Sequence, residues 1–491
     1  MQVGKRSIPK AVEWSLILLL LLTGTFLALY HLDVQSLWID EAYTWWFTNF
    51  SIPDLLENAR IDAVHPPLYY LSVKWLTSWL GAEEAGLRLL SSLSYVLCIG
   101  AALILGYQVG GRPGRLIAGW FWVFHPMALS YARDARPYAL VALFAFTSTI
   151  ATIHLASKPK DSKLWNLLAL ISLICGFLIH YFFIIVVAGI TLERVLEFRR
   201  RPLLFRKWTL LALLSSLPLI LWILWFFQLE NPSVGIGWIQ QPQPVDLVWT
   251  FWNLLSGYGG MFSLPSLFFG VVAAFLFIVG IFSSCNSDTL RWVFPCWILF
   301  PLIAIWFVSQ YRPIYVDRYF IVLFPAFLIL ISTGAREIWS KWEGLGDMRK
   351  ELFSGVIILA LGSIGLWSGW QVHSDLTYAH EDWRSLASRL RTNSTATDQI
   401  FLADPETIIP LHYYKIDIAT RSDFSDIHAC EGSCWWVLRQ PYTATHAFSQ
   451  SVTDIDRPWK TEIPMGCTLI EAFNSPTGVA LWHIQCGTPN R

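Results

Sequence analysis

Eleven apolar runs, each close to the roughly twenty residues that span a bilayer as a helix, dominate this chain. They fall near residues 14–30, 87–109, 115–131, 137–156, 164–180, 182–198, 208–229, 264–282, 291–310, 318–335 and 352–370. In hydrocarbon every backbone N–H and C=O must find a partner inside the protein, so such runs fold as helices. Composition agrees: 55% of the 491 residues are hydrophobic and 14% are charged, against about a quarter charged in soluble domains. The sequence therefore predicts an α-helical polytopic membrane protein with about eleven spans, within a range of ten to thirteen.

The first run follows Lys5, Arg6 and Lys10, as in a secretory signal. It is long, and His31-Leu-Asp-Val follows it with no small-residue cleavage site. It is read as an uncleaved first helix. With the N-terminus cytoplasmic, eighteen Lys and Arg fall on the inner side up to residue 370 and seven on the outer side. That bias follows the positive-inside rule. Counting the run 66–80 as a further span would invert every later loop. Its Lys74 and its Trp and Tyr residues suit a helix lying at the outer surface, inside a first outer loop of residues 31–86. The chain divides into a membrane domain, 1–370, and an outer tail, 371–491. The tail holds a polar helix-like stretch to Arg391 and strand-like runs at Gln399–Leu402, Trp435–Leu438 and Val479–Trp482, which predict a small α/β domain. The expected location is a bacterial inner membrane, with the C-terminal domain extracytoplasmic.

Cysteines divide the same way. Cys98, Cys175 and Cys296 lie in apolar runs and Cys285 in an inner loop, whereas Cys430, Cys434, Cys467 and Cys486 lie in the tail. Four cysteines in an oxidising compartment can form two bridges with three connectivities. Cys430-Glu-Gly-Ser-Cys434 can instead be read as half a zinc site, with no second half evident.

This topology sorts the unusual polar residues onto the outer face. Asp40 and Glu41 follow the first run. Asp62 and His65 share the sequence Asp62-Ala-Val-His-Pro-Pro67. Arg133, Asp134, Arg136 and Tyr138 crowd one short turn, His180 and Tyr181 form the next, and Arg312, Asp317 and Arg318 a later one. Each has a plainer reading. Asp40 and Glu41 can cap a helix, the arginine turns can pair with acids or lipid headgroups, His180 can end a helix, and His65 can sit in a turn. Together they place carboxylates, guanidiniums and histidines at one depth beside the membrane, where ionisable groups mark function. An Asp can take a proton from an acceptor hydroxyl, and arginines can hold a phosphate. A phosphate leaving group at a membrane surface is naturally carried by a lipid. Zero net charge gives no sign of a nucleic-acid partner.

Leu37-Trp-Ile-Asp-Glu-Ala-Tyr43, Asp62-Ala-Val-His-Pro-Pro-Leu-Tyr-Tyr70, Arg88 in Gly-Leu-Arg-Leu-Leu-Ser91, and Tyr131-Ala-Arg-Asp-Ala-Arg-Pro-Tyr138 together resemble the GT-C superfamily of membrane glycosyltransferases. The resemblance is to its bacterial family-39-like branch, with protein O-mannosyltransferase, core galacturonosyltransferase and lipid A aminoarabinose transferase relatives. It covers residues 10–390, including a tail that opens with Asp-Trp-Arg. It implies a GT-C fold, a polyprenyl-phosphate-linked sugar donor, a lipid, glycan or protein acceptor, and inversion at the anomeric carbon. It implies that Asp40, at the place of the first-loop acid, is the general base or the group that orients the acceptor, that Glu41 helps position the acceptor or the donor sugar, and that Asp134 stands at the acid of the second outer loop. Arg133, Arg136, Arg312 and Arg318 are candidates for the donor phosphate by charge and position, with His65, Tyr138, His180, Tyr181 and Asp317 beside them. No obligatory metal is expected, although some relatives use a divalent ion. Two other classes stay open from the residues alone. A transporter or flippase predicts an internal repeat and polar residues through the bilayer depth, and a non-catalytic envelope-assembly protein leaves the outer cluster without a use.

Overall fold

The computed structural model describes residues 10–157, 163–229, 237–258, 263–342, 347–374 (347–357 as backbone), 378–395, 398–416, 430, 432–439 and 467–486. The expected inner charges Lys5, Arg6, Lys158 and Lys160 lie outside these residues. The protein is a multi-pass membrane protein, and helix occupies all eleven apolar runs. Six of the described helices are long and apolar enough to cross a membrane by length and composition, so the number of crossings stays open.

Helix α1 (Lys10–Leu29) leads into three short helices, α2 (Ile39–Thr48), α3 (Ile52–Asp62) and α4 (Leu68–Leu80). These fold the expected first loop. Helix α4 exposes Trp75 and Trp79 on the side opposite the buried Tyr69 and Tyr70, the amphipathic split of a surface helix. The stretch α5 (Glu84–Phe124) is a hairpin rather than a rod. Gly111 adopts φ 63°, ψ −148°, a backbone open to glycine, and Pro113 follows it. The arms then run back to back: the Tyr95 hydroxyl donates to the Val123 carbonyl at 2.6 Å, and Trp122 Nε1 donates to the Tyr95 carbonyl at 3.1 Å. The expected run 115–131 is interrupted at His125, because Pro126 cannot donate to the preceding turn. The chain restarts there as α6 (Pro126–Ala132).

Next come α7 (Tyr138–Ser157), α8 (Lys163–Ile179), α9 (Ile184–Leu196), α10 (Pro202–Phe226), α11 (Pro244–Ser256), α12 (Leu264–Cys285), α13 (Phe300–Ser309), α14 (Phe324–Trp342) and α15 (Asp347–Ser374). Helix α11 has no counterpart in the sequence reading. Pro244 starts it, and the Asp246 carboxylate accepts from the Gln243 N–H at 2.6 Å. Helix α14 is the central post, its apolar residues from Phe324 to Ile331 all buried. It crosses α12 at two glycines. A Cβ on Gly280 would overlap the Leu330 carbonyl, and one on Gly334 the Leu276 carbonyl. Small residues of this kind let membrane helices approach backbone to backbone.

At one end of the membrane domain Glu13 pairs with Arg112 at 3.1 Å and Arg115 at 2.9 Å, tying the start of α1 to the α5 hairpin turn. The opposite end carries α2, α3, the α6–α7 turn and the tail. The tail is α16 (Trp383–Asn393), β1 (Gln399–Leu402), α17 (Ile408–Tyr413), β2 (Gly432–Arg439), β3 (Cys467–Asn474) and β4 (Val479–Cys486). Its sheet runs β1-β2-β4-β3, with β1 parallel to β2 and the other pairs antiparallel. Side chains alternate between faces. Ile400, Leu402, Trp435, Val437 and Leu481 pack with Trp383 and Leu386 of α16, while Phe401, Trp436, Leu438 and Trp482 form the other face. Strand β3, unread in the sequence, pairs its Cys467 opposite Cys486. The bridges are Cys430–Cys434 and Cys467–Cys486. The zinc reading of Cys430 and Cys434 is overturned, since the two sulfurs bond to each other.

Replacing Gly280 or Gly334 by Ala forces α12 and α14 apart. A loss of about 1–3 kcal/mol is expected for such overpacking, read as a lower thermal midpoint of the detergent-purified protein.

Candidate active site

The site is built on the first turn of α2, which presents Asp40 and Glu41 to different surroundings. Glu41 points inward and is fully buried. Arg88, near the start of α5, meets it with two bonds, Nε to Oε1 at 2.7 Å and Nη2 to Oε2 at 2.6 Å. The Ala135 N–H donates to Oε1 at 2.8 Å, and the Trp38 N–H donates to Oε2 at 3.4 Å as part of the α2 cap. His380 Nδ1 lies 3.2 Å from Oε2. Burial opposes the Glu41 charge, but the Arg88 guanidinium outweighs it and holds the carboxyl well below the usual range. Arg88 also donates to the carbonyls of Leu32 at 2.6 Å, Gln35 at 2.9 Å and Ser36 at 2.9 Å. One buried pair thus gathers the 32–36 segment, α2, the α6–α7 turn and the tail.

Asp40 is more open. Its side chain keeps 25% of its surface accessible, and Oδ2 lies 3.6 Å from Arg136 Nη2 and 3.7 Å from Arg318 Nη2. Arg136 also donates to the Asp40 carbonyl at 3.2 Å and to His65 Nε2 at 2.7 Å. Because Arg136 can only donate, His65 must carry its proton on Nδ1, and burial followed by the Arg136 charge keeps that ring neutral. The guanidinium of Arg318 lies within 6.0 Å of the rings of Trp38, Tyr138, Trp238 and Tyr319, a cation–π enclosure. Asp317 orients this segment, accepting from Asn253 of α11 at 3.0 Å and from the Arg318 N–H at 2.7 Å.

The remaining candidates divide. His180 lies with its ring 4.8 Å from that of His65, and its Nδ1 accepts from the Phe182 N–H at 3.1 Å. Tyr138 packs against His180 and Tyr319. Tyr181 accepts from Trp222 Nε1 at 2.9 Å, which ties its turn to α10. Arg133 faces away from Asp40. It donates to the carbonyls of Leu27, Tyr30 and His31, the free acceptors at the end of α1. Arg312 is exposed, and the arginines that pair with Asp40 are Arg136 and Arg318 instead.

Asp134 is buried beside Glu41 and accepts from Trp38 Nε1 at 3.0 Å. Burial and the Glu41 charge push its carboxyl up to about 7. Asp134, Glu41 and His380 bring one ligand atom each within 4.8 Å of one another. The set does not suit a resident cation, because Arg88 already holds both Glu41 oxygens in the same space. Asp62 also faces this region, and burial raises its carboxyl to about 6.

Sequence reading missed the part played by the tail. Besides His380, Glu381 accepts from the Ile39 N–H at 3.1 Å and from Arg439 Nε at 2.7 Å. Arg88 could have been found, as a lone guanidinium entering an apolar run. Nothing in the sequence around Arg439 signals its position.

Removing one member of a buried ion pair leaves the other uncompensated, at a cost of about 3–5 kcal/mol. Arg88→Met is expected to lower the thermal midpoint sharply, and Arg88→Met with Glu41→Gln to recover part of that loss. Asp134 predicts a pH effect. Its folded carboxyl binds a proton more tightly than its unfolded one, so its contribution is full below about 4 and fades as pH rises through about 7. Thermal midpoints of the wild type and Asp134→Asn, compared from pH 7 to pH 4, should diverge in favour of the wild type as pH falls.

No protein-family model and no curated protein sequence matches the chain. Solved structures do. ArnT from Cupriavidus metallidurans in the apo state superposes with a TM-score of 0.59 over 97% of this chain and 98% of that one, at 11% identity. The same protein bound to undecaprenyl phosphate gives 0.58 over the same shares, again at 11% identity. The oligosaccharyltransferase of Archaeoglobus fulgidus, tethered to an acceptor peptide, gives 0.50 over 85% of this chain and 64% of that one, at 11% identity. The chain therefore shares the fold of ArnT over nearly the whole length of both.

Proposed function

We propose that this protein is a GT-C-type glycosyltransferase that moves a sugar from a polyprenyl-phosphate-linked donor to a hydroxyl on a lipid, glycan or protein acceptor. The reaction is placed on the outer face of a bacterial inner membrane, with the N-terminus inside. One observation carries the reading. Asp40 is a partly accessible carboxylate between two guanidiniums, at the membrane-domain end where α2 meets the tail. ArnT, which shares the fold, has been seen with undecaprenyl phosphate.

The chemistry follows from that geometry. An acceptor hydroxyl beside Asp40 loses its proton to the carboxylate as its oxygen forms a bond to the anomeric carbon. The bond from that carbon to the phosphate oxygen breaks, and the polyprenyl phosphate departs with the electron pair. Arg318 and Arg136 stabilise the growing phosphate charge by charge-assisted hydrogen bonds. Attack opposite the leaving group inverts the anomeric centre. Glu41 touches neither reactant here. Bound by Arg88, it acts as a positioning residue for the turn that carries Asp40. Asp134, held by Trp38, supports the same turn. His65 accepts from Arg136 and keeps it in place, and His180 packs on His65. Arg133 caps α1 and Arg312 lies apart, so the reading gives the donor phosphate to Arg136 and Arg318 instead.

The test uses membranes containing the full chain and a panel of polyprenyl-phosphate sugars with an envelope lipid and glycan extract as acceptor. Asp40→Asn is expected to lower transfer by about 100-fold or more, while the protein retains its thermal midpoint within a few degrees. Arg318→Ala should raise the donor KM, and Arg312→Ala should leave transfer within about two-fold of wild type. Undiminished transfer in Asp40→Asn would remove Asp40 as the base. No transfer by the wild type across the panel would defeat the glycosyltransferase reading.

A further inference from the structure

The tail grips the chain immediately before Asp40, residue by residue. Gln35 donates to the Tyr378 carbonyl at 3.4 Å. The Ser36 hydroxyl accepts from the Arg384 N–H at 3.1 Å. The Leu37 N–H donates to the Tyr414 hydroxyl at 2.9 Å. The Ile39 N–H donates to the Glu381 carboxylate at 3.1 Å. Arg384 adds bonds to the carbonyls of Asp33 at 2.6 Å and Val34 at 3.2 Å, and an ion pair to Glu84 at 2.9 Å.

Glu381 is the centre of this grip. It is fully buried. Its Oε1 accepts from Arg439 of β2 at 2.7 Å, and its Oε2 accepts from Trp383 Nε1 at 2.7 Å and from the Ile39 N–H. Ile39 opens α2, and its N–H is one of the donors that a helix start leaves without an internal partner. The next residue is Asp40. A buried carboxylate at that point fixes where the first turn begins and adds a charge that suits a helix N-terminus. Glu41 and Arg88 hold the same turn from the membrane side.

We propose that Glu381 is a positioning residue for Asp40, so that the tail is part of the active site rather than a separate acceptor-binding module. The inference rests on the glycosyltransferase reading, in which Asp40 is the base. Displacing a reacting group by a fraction of an ångström costs rate rather than ground-state binding. Loss of Glu381 should therefore fall on kcat and spare the donor KM.

The experiment compares Glu381→Ala, Glu381→Gln and Ile39→Pro in the purified full-length protein, with the polyprenyl-phosphate sugar that the wild type uses. Ile39→Pro deletes the N–H that Glu381 accepts and leaves Glu381 intact. Proline is at home in the first helical position, and Trp38 before it already has the extended backbone that proline demands, at φ −87°, ψ 174°. Glu381→Ala and Ile39→Pro are expected to lower kcat about ten-fold or more with the donor KM within about two-fold. Glu381→Gln, which can still accept from Ile39, should recover part of the rate. A kcat within about two-fold of wild type in Glu381→Ala, or a rise in KM at unchanged kcat, overturns the proposal. If Glu381→Ala does not fold, Ile39→Pro decides by the same criteria. Hydrogen exchange over residues 35–48 is the readout that needs no turnover. Faster exchange in the variants supports the grip, and unchanged exchange overturns it. A wild type that transfers nothing defeats the glycosyltransferase reading instead, and leaves the exchange result to stand alone.

Discussion

The buried pair of Arg88 and Glu41 is the contact on which the rest of the site depends. Placing two charges beside a bilayer is costly, and their attraction offsets that cost only with good geometry and every remaining polar atom satisfied. Both conditions hold. The carboxylate accepts two guanidinium bonds and a backbone N–H from the α6–α7 turn, and the guanidinium donates to three carbonyls of the 32–36 segment. Such a pair contributes little net stability compared with an apolar replacement. Its effect is to specify one arrangement, because a shift of any of the four segments strands a buried charge.

That arrangement explains how adjacent acids come to have different work. An α-helix separates neighbouring side chains by about 100°, so Glu41 can face the core while Asp40 faces Arg136 and Arg318. Glu41 is saturated and held ionised by Arg88. Asp40 keeps accessible surface and meets two arginines at distances longer than a tight salt bridge. Asp134, a few ångströms from Glu41, tends the opposite way, because one buried carboxylate raises the cost of a second. Three acids close together thus divide into a locked anion, a partly accessible carboxylate beside two guanidiniums, and a group that holds its proton near neutrality.

The membrane helices were legible in the sequence because hydrocarbon demands length and apolarity, which a run such as 137–156 shows directly. Part of the grouping of loops by end was legible too: the pairing of Glu13 with Arg112 and Arg115 agrees that α1 begins where the α5 hairpin turns. Asp40, Arg136 and Arg318 were legible as a depth, since each sits beside a span. What the sequence withheld was direction. Arg133 and Arg136 share one short turn, yet one reaches back to the end of α1 and the other forward to Asp40. Spacing along a chain cannot resolve that, because the answer lies in where α1 ends in space. Helix α11 escaped notice for a related reason: thirteen residues with a polar start are too few to register as a span, though Asn253 within it holds Asp317. Glu381 and Arg439 lie 58 residues apart and meet only because the tail sheet sets β2 beside the α16 start.

The small sheet domain of the tail supplies what the membrane helices cannot. Hydrocarbon can enforce a helix but cannot hold the polar first turn of α2, whose N–H groups need acceptors. Water would satisfy them while leaving the turn free to move. The tail supplies fixed acceptors instead, Tyr414 and Glu381, while Glu41 of the turn itself takes the Trp38 N–H. The backbone leading to Asp40 is thereby bonded to protein at nearly every step and the carboxylate alone is left to meet solvent or substrate. In the proposed transfer, an acid on so firmly bonded a backbone, with two guanidiniums beside it, requires little reorganisation as charge moves from the acceptor oxygen to the departing phosphate.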